Sequence, residues 1–165
     1  MILQECPDIL VVSYAPNQGK TYALSRGIDT ATGDYVMTLD ADLAGVTAAD
    51  IQALADPVLR GEADVSISLR RNSLWPYRRI GLDFVSGERV IPASLVRGAT
   101  QTMARLTRWG AEPFINNLII REGLTVAVVD WPAVFNVRKY QKIGWWRGVL
   151  AEIDMVADHL RTLSP

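Results

Sequence analysis

The sequence predicts an α/β protein built on a mostly parallel sheet. Apolar, strand-like residues 9–12 are followed by apolar residues at helical spacing and then by a second apolar run at 35–39. Strand, helix and strand thus fit into about thirty residues, which is the arrangement of a βαβ unit with parallel strands. The same alternation continues to residue 163. A chain of 165 residues without internal repeats or linkers is predicted to form a single domain.

Each predicted element rests on a local pattern. Lys20 opens a helix after a loop of turn-forming residues, and the apolar run that follows this helix ends in Asp40. Apolar and polar residues alternate in Asp64–Leu69, which predicts a strand that delivers Arg70 at its end. The other predicted elements are a helix from Thr47, an irregular surface segment at 72–92, helices at 93–108 and 112–123, a strand at 124–129, an irregular basic segment at 134–144 and a helix at 145–163.

Composition and charge exclude several classes of protein. Apolar residues make up 49% of the chain, which is ample for a core, and the net charge of −1 creates no field that would attract nucleic acid. A single cysteine and a single histidine exclude a disulfide framework and a histidine-based zinc site. The sequence shows neither a signal peptide nor an apolar run of the roughly 18 residues that a membrane span needs. We therefore expect a cytoplasmic protein with no nucleic-acid partner.

Two carboxylates at the end of the central apolar run predict a metal site. Asp40 and Asp42 are two residues apart, so in a strand their side chains share a face. Open α/β sheets bind ligands beyond the carboxyl ends of their strands. Carboxylate oxygens there suit a divalent cation, which in turn suits a diphosphate. The alternative is that both aspartates are solvated turn residues that stop the strand.

A second motif, Asn17-Gln18-Gly19-Lys20-Thr21, invites interpretation as a phosphate-binding loop. Gly-Lys-Thr after an apolar run is typical of nucleoside-triphosphatases. The full pattern needs a glycine where this chain has Tyr14, and Pro16 has no N–H to offer a phosphate. A nucleoside-triphosphatase is therefore the less favoured function, and a turn glycine followed by a surface lysine is the simpler interpretation.

The loop and the strand end belong to a longer pattern. It consists of Asn-x-Gly-Lys at 17–20, a helix ending in Ala-x-Gly-Asp at 31–34, and a strand ending in Asp-Ala-Asp at 40–42. This set of spacings resembles family 2 glycosyltransferases with a GT-A fold, and Ser68-Leu69-Arg70 is similar to a strand end of that family. The resemblance covers roughly residues 9–130. It implies a Rossmann-like three-layer sandwich with a mostly parallel sheet.

Two later segments are similar to the polyprenyl-phosphate sugar transferases of this family. Residues 83–89 resemble their acceptor-side segment, Asp-x-x-Ser-Gly-x-Arg, and residues 112–116 resemble the helix that follows it. The resemblance therefore implies that residues 1–71 form the donor- and metal-binding part. Residues 72–165 would then form the acceptor part and the C-terminal helix.

The resemblance implies transfer of a sugar, with inversion, from a nucleotide diphosphate sugar to a polyprenyl-phosphate or hydroxyl acceptor. Mg²⁺ or Mn²⁺ on Asp40 and Asp42 would neutralise the leaving diphosphate. A hydroxyl acceptor would need a general base, whereas a phosphate acceptor is already ionised and would meet an arginine. The implied substrate-binding residues are Asn17, Gly19, Lys20, Arg70 and Arg79. The implied catalytic residues are Asp83 and Glu112, as candidates for the base, and Arg89, which would contact an acceptor phosphate.

Aromatic residues interleaved with basic ones leave peripheral contact with a membrane open. Trp75 and Tyr77 lie beside two arginines, and Trp145 and Trp146 follow a basic segment. A lipid acceptor at the inner face of the membrane would require such a surface. Aromatic residues lie more often in a core, which is the alternative.

The chain also departs from the family pattern. Family members begin with a strand ending in Pro-x-x-Asn-Glu and an Asp-Asp-x-Ser strand, which bind the nucleotide, and this sequence has neither. We therefore expect an N-terminally incomplete fold whose exposed sheet edge pairs copies into a homo-oligomer. The alternative function is a catalytically inactive GT-A domain that binds a partner or another copy. Asn136 stands near the position where many members have a metal-binding histidine.

Overall fold

The computed structural model describes residues 9–136 of the chain. The helices are α1 (Lys20–Thr30), α2 (Ala48–Leu59), α3 (Trp75–Ile80), α4 (Ala93–Arg97), α5 (Thr100–Met103) and α6 (Ala111–Arg121). The strands are β1 (Tyr35–Thr38), β2 (Leu43–Ala44), β3 (Val65–Arg70), β4 (Arg89–Pro92), β5 (Val126–Trp131) and β6 (Phe135–Asn136). The predicted helix at 145–163 and most of the basic segment at 134–144 lie outside the described residues. None of the helices within the described range has both the length and the hydropathy of a membrane span.

A four-stranded sheet with the order β1-β4-β3-β5 forms the centre of the fold. β4 is antiparallel to both of its neighbours, whereas β3 and β5 are parallel to each other. β1, β3 and β5 therefore run in one direction, and the predicted mostly parallel sheet is confirmed. β2 and β6 form a separate antiparallel pair. β1 and β5 are the edge strands of the described sheet, and pairing of copies through an edge stays a prediction.

Helices cover both faces of this sheet. Neighbouring strand residues point to opposite faces, and in β4 Val90 and Ile91 accordingly belong to two different buried clusters. Ile91 shares its cluster with Ile28 of α1 and Ile115 of α6, whereas Val90 shares the other with Leu54 of α2. The result is the predicted three-layer sandwich of helix, sheet and helix.

Residues 9–12 are not a strand, so the βαβ unit predicted at the start of the chain is wrong. Their side chains are 39–72% exposed, and they pair with no strand among residues 9–136. A short apolar run becomes a strand only where a neighbouring strand supplies hydrogen bonds to its backbone. The helix that follows does begin at Lys20, as predicted.

The segment at 72–92, predicted to be an irregular surface, contains α3 and ends in a central strand. β4 lies between β1 and β3, and its first residue, Arg89, is buried together with the preceding Glu88. Charged residues at buried positions hide the period-two pattern by which a strand is recognised. The prediction is wrong because the neighbouring strands, and not the local periodicity, decide where this strand lies.

Elements with a strong local pattern are confirmed. Thr47 caps α2 by accepting a hydrogen bond from the Asp50 amide, while the Asp50 carboxylate accepts one from the Thr47 amide. α6 and β5 occupy the predicted positions, and β5 extends to Trp131. The single helix predicted at 93–108 is instead divided into α4 and α5 around Gly98, a residue with low helix propensity.

The central position of β4 makes Ile91 a test of the fold. Ile91 is fully buried, so Ile91→Ala should lower the free energy of unfolding by about 2–5 kcal/mol through lost burial and a cavity. Ile120→Ala is the matched control, because Ile120 is 76% exposed on α6, and it should change that free energy by less than about 0.5 kcal/mol. Urea unfolding followed by circular dichroism measures both. Equal effects of the two substitutions would contradict the position of β4.

Candidate functional site

The candidate site lies at the end of the sheet where β1 and β3 finish and β4 begins. β1 and β3 run in the same direction, so Asp40 and Asp42 after β1 lie at the same end as Arg70 of β3. β4 runs the other way, and Glu88 and Arg89 at its start therefore come to this end as well. The topology thus gathers charged side chains from three strands.

Lys20 joins this end of the sheet to helix α6. Its ammonium lies 2.7 Å from Asp40 Oδ1 and 2.6 Å from Glu112 Oε1. Burial of Lys20 lowers its pKa, but the charges of Glu112 and Asp40 outweigh this effect, so the pKa lies above its ordinary value. The ammonium is therefore charged and bridges two carboxylates from separate elements, the turn after β1 and the first turn of α6.

Asn136 of β6 links the second aspartate to Arg70. Its Nδ2 donates to Asp42 Oδ1 at 3.0 Å, and its Oδ1 accepts a hydrogen bond from Arg70 Nη1. Asn72 in turn holds the backbone of Asn136 by donating to its carbonyl at 3.1 Å. The two aspartates therefore have different partners, since Asp40 meets an ammonium and Asp42 meets an amide.

Acceptors surround the guanidinium of Arg70. It lies 3.3–3.4 Å from the Glu88 carboxylate and 3.5 Å from Asp83 Oδ2. Glu88 is fully buried and also accepts hydrogen bonds from the hydroxyls of Ser68 and Ser86, at 3.0 and 2.7 Å. The Arg70 side chain is 11% exposed, so it is held in place to a degree that a solvated loop arginine is not.

Arg89 lies beneath the site and not at its surface. It is 1% exposed and donates to the carbonyls of Ser86 and Phe84 and to Asn116 Oδ1. Burial lowers the pKa of its guanidinium, and nearby carboxylates act in the opposite direction. These carboxylates are Glu112, Glu88, Asp83 and Asp40. The predicted contact of Arg89 with an acceptor phosphate does not fit this burial, because its donors are engaged inside the protein.

The described site combines carboxylates with cationic side chains. Its cations are Lys20, Arg70 and Arg89, and its carboxylates are Asp40, Asp42, Asp83, Glu88 and Glu112. Buried or partly buried charge is stable when it is paired or when it coordinates a metal ion, so a group of carboxylates such as this one suits a divalent cation.

Glu112 contributes an oxygen that has no donor. Its Oε1 is bonded to Lys20, but its Oε2 is buried and has no hydrogen-bond partner in the part of the chain that the structure describes. Glu112 lies in the first turn of α6, where the helix dipole stabilises a carboxylate. A buried oxygen has lost its water, so a ligand that donates a hydrogen bond or a positive charge would satisfy it.

The oxygen donors at the end of β1 suit Mg²⁺ or Mn²⁺. Mg²⁺ is commonly bound by one or two carboxylates together with substrate phosphates and waters, and Mn²⁺ prefers oxygen ligands as well. Asp40 and Asp42 supply two carboxylates. Among residues 9–136 no three side chains of His, Cys, Asp or Glu are placed to hold an ion by themselves. Phosphate or water ligands would therefore complete the coordination.

Gly87 allows the start of β4 to touch the turn after β1. A Cβ on Gly87 would lie 2.6–2.8 Å from atoms of the Asp40 carboxylate, and the Gly87 carbonyl accepts a 2.5 Å hydrogen bond from the Thr38 hydroxyl. A side chain at this position would therefore push Asp40 away. Because β1 ends at Thr38, Asp40 and Asp42 lie in the turn beyond it, and the argument for a shared strand face does not apply.

Asn17 and Gly19 shape the loop before α1. Asn17 Oδ1 accepts a hydrogen bond from the Gly19 amide at 2.9 Å, and Gly19 has a φ of +92°. A Cβ there would also come within 2.9 Å of Arg108, so glycine is needed for two reasons. The next residue, Lys20, is engaged by carboxylates, and no strand precedes the loop within the described residues. The nucleoside-triphosphatase interpretation is therefore not supported.

Arg79 is not brought to the site. It is exposed on α3, and its guanidinium lies 6.0 Å from the centre of the Trp75 ring. The other predicted residues, apart from the buried Arg89, line the end of the sheet or shape the loop beside it. A role for Arg79 in phosphate binding stays a prediction.

Glu88 was not among the residues predicted from the sequence. It occupies the variable position of the Asp-x-x-Ser-Gly-x-Arg segment, so the resemblance gives it no role. Its burial follows from the inner position of β4, which no local pattern shows. One feature of the sequence could have indicated a buried polar partner such as Glu88. Ser68 places a hydroxyl inside a strand that is buried on both faces, and a buried hydroxyl needs a polar partner.

Solved glycosyltransferase structures share this fold. The complex of glucosyl-3-phosphoglycerate synthase from Mycobacterium tuberculosis with phosphoglyceric acid has a TM-score of 0.62 and 21% sequence identity, and the match covers 97% of this chain. The complex of that enzyme with Mn²⁺, UDP and glucosyl-3-phosphoglycerate has a TM-score of 0.63 and 21% identity, with 97% of this chain covered. In both cases this chain spans 58% of the other chain. The fold is that of the GT-A glycosyltransferases, as predicted.

A family match identifies the chain more closely. The family described as Glycosyl transferase family 2 matches residues 1–110. The chain belongs to this family. A comparison with curated proteins gives no match.

Gly87→Ala tests the contact between β4 and the turn after β1. The added methyl group should displace the Asp40 carboxylate from Lys20, and the pKa of Lys20 should fall because one of the two charges that raise it is removed. The fold should be retained, because the displaced atoms are the end of a side chain. NMR titration of the Lys20 ammonium measures the pKa. Gly98→Ala, which meets no atom within 4 Å, is the control, and a Lys20 pKa that is the same in both variants would contradict the contact.

Proposed function

We propose that this protein transfers a sugar from a nucleotide diphosphate sugar, with inversion, in a reaction that depends on Mg²⁺ or Mn²⁺. The observation that carries the proposal is the arrangement at the end of the sheet, where Asp40 contacts Lys20 and Asn136 links Asp42 to Arg70. Membership of glycosyl transferase family 2 supports it, as does similarity to a glucosyl-3-phosphoglycerate synthase bound to Mn²⁺ and UDP-glucose. Since the chain spans 58% of that structure, the activity of the whole protein is part of the proposal.

Asp40 and Asp42 would hold the metal ion, which when bound neutralises charge on the leaving diphosphate. Lys20 fixes the Asp40 carboxylate through a 2.7 Å contact and adds a positive charge beside it. Arg70 supplies a planar guanidinium that suits a phosphate group. These residues are held by each other and by buried neighbours, so their charges need little rearrangement when a substrate binds.

Glu112 is the better candidate than Asp83 for a general base toward a hydroxyl acceptor. Glu112 Oε2 has no donor within the described residues and can accept a proton. Asp83 accepts a hydrogen bond from the Val85 amide at 3.3 Å and faces Arg70, so both of its oxygens have partners. A phosphate acceptor would need no base, and the two carboxylates would then serve to orient Lys20 and Arg70.

The test of the proposed function is a metal-dependent shift in melting temperature. UDP-glucose or GDP-mannose at about 100 times its Kd should raise the melting temperature by roughly 5–10 °C when Mn²⁺ is present. Asp40→Ala should abolish the shift, because the metal loses a carboxylate ligand. Asp29→Ala, which changes an exposed aspartate on α1, should keep it. Absence of a shift with both nucleotide sugars in wild-type protein would refute the proposal.

We also propose that the segment 71–80 touches an anionic membrane, which would favour a lipid-phosphate acceptor. Leu74, Trp75 and Ile80 are 58–73% exposed. The segment contains three arginines and no acidic residue, so its charge complements anionic headgroups. Exposed tryptophan beside arginine is typical of a membrane interface.

Sedimentation with vesicles tests this contact. Wild-type protein should bind vesicles of phosphatidylglycerol, and binding should fall by about tenfold when Trp75→Ala and Arg79→Glu are combined, since apolar area and charge are both lost. Arg121→Glu, at an arginine that is 73% exposed on α6, is the control for a change of net charge alone. Equal binding by the double variant and by the control would contradict contact through this segment.

A further inference from the structure

Contacts on all three nitrogen atoms fix the guanidinium of Arg70. Nη1 donates to Glu88 Oε1 at 3.4 Å and to Asn136 Oδ1, and Nε lies 3.3 Å from Glu88 Oε2 in a charge contact that is not a hydrogen bond. Nη2 has a long contact of 3.5 Å with Asp83 Oδ2. Nη2 carries two N–H groups, so one of them has no hydrogen-bond partner within residues 9–136.

Glu88 supplies two of these contacts, one to each of two nitrogens. Both of its oxygens face Arg70, and Oε2 also accepts hydrogen bonds from Ser68 and Ser86. The side chain is fully buried, so the carboxylate cannot turn toward water. A buried carboxylate held by two hydroxyls and a guanidinium has one favourable orientation. It therefore also restricts the orientation of the Arg70 guanidinium.

An arginine binds phosphate more tightly when its guanidinium is already held in the binding orientation. A free guanidinium must give up rotamer freedom when it meets a ligand, and a fixed one has already done so. Arg70 keeps an exposed fraction of 11%, and one N–H of Nη2 has no hydrogen-bond partner within residues 9–136. Nε is buried and Nη1 already has two acceptors, so Nη2 is the nitrogen left for a ligand.

We propose that Glu88 is a positioning residue that fixes Arg70 so that Nη2 is presented to a phosphate group of the substrate. This inference rests on the proposed function, which supplies the phosphate. Glu88 itself touches no substrate, because it is enclosed by Arg70, Ser68 and Ser86. Its effect on binding is therefore exerted through Arg70.

Isothermal titration calorimetry with UDP and with inorganic pyrophosphate, each in the presence of Mn²⁺, tests this role. Glu88→Gln keeps the size of the side chain but removes its charge, and it should weaken the binding of both probes by about tenfold. Glu122→Gln is the matched control, because Glu122 is 51% exposed and pairs with a surface arginine, and it should leave both affinities unchanged.

A double variant separates positioning from a purely structural role. In an Arg70→Gln background, Glu88→Gln should cause no further loss of affinity, because the group that Glu88 positions is gone. Removing both charges together also avoids leaving one of them buried without a partner. If Glu88→Gln fails to fold, Glu88→Asp replaces it, since Asp keeps the charge on a shorter side chain and should weaken binding in the same direction.

The outcomes distinguish the two proposals. Binding by wild-type protein that Glu88→Gln leaves unchanged would overturn the role of Glu88 and leave the proposed function standing. An equal loss in the wild-type and Arg70→Gln backgrounds would also overturn it, because Glu88 would then act independently of Arg70. Wild-type protein that binds neither probe would overturn the proposed function, and the role of Glu88 with it.

Discussion

The buried guanidinium of Arg89 is the constraint on which the rest of the site depends. It begins β4, donates to carbonyls of the loop at 84–86, and reaches Asn116 on α6 at 2.9 Å. Asn116 also donates to the Phe84 carbonyl at 2.7 Å, so strand, loop and helix are tied at one point. A charge without water must be paired, and the carboxylates around Arg89 meet that need.

The exposure of the side chains increases from Glu88 and Arg89 toward the surface of the site. Glu88 and Arg89 are almost inaccessible, Arg70 is 11% exposed, and the side chains of Asp40 and Lys20 are 22% and 31% exposed. The buried side chains of Glu88 and Arg89 restrict the orientation of the more exposed side chains of the site. The outer groups include Asp40 and Asp42, whose carboxylate oxygens suit a divalent cation. A rigid base under a charged surface is what electrostatic stabilisation of a leaving group requires.

The sequence predicted the parts of the site that follow from local order along the chain. Asp40 stands after one apolar strand and Arg70 is the last residue of another, and strands of one direction bring their ends together. Glu112 was found from a helix start and a resemblance. Arg89 was predicted with the wrong surroundings and Glu88 was not predicted, because their burial depends on β1 and β3, which are distant in the sequence.

By itself, the sequence determined the α/β class, the helices and strands with clear periodicity, and the family resemblance carried by the Asn-x-Gly-Lys and Asp-Ala-Asp motifs. These features are local, since period, caps and spacing are set by residues a few positions apart. The tertiary structure alone decided that residues 9–12 stay unpaired, that β4 is an inner strand and that Glu88 and Arg89 are buried. The physical reason is that strand pairing and the burial of charge are settled by partners far away in the chain, and no local pattern encodes them.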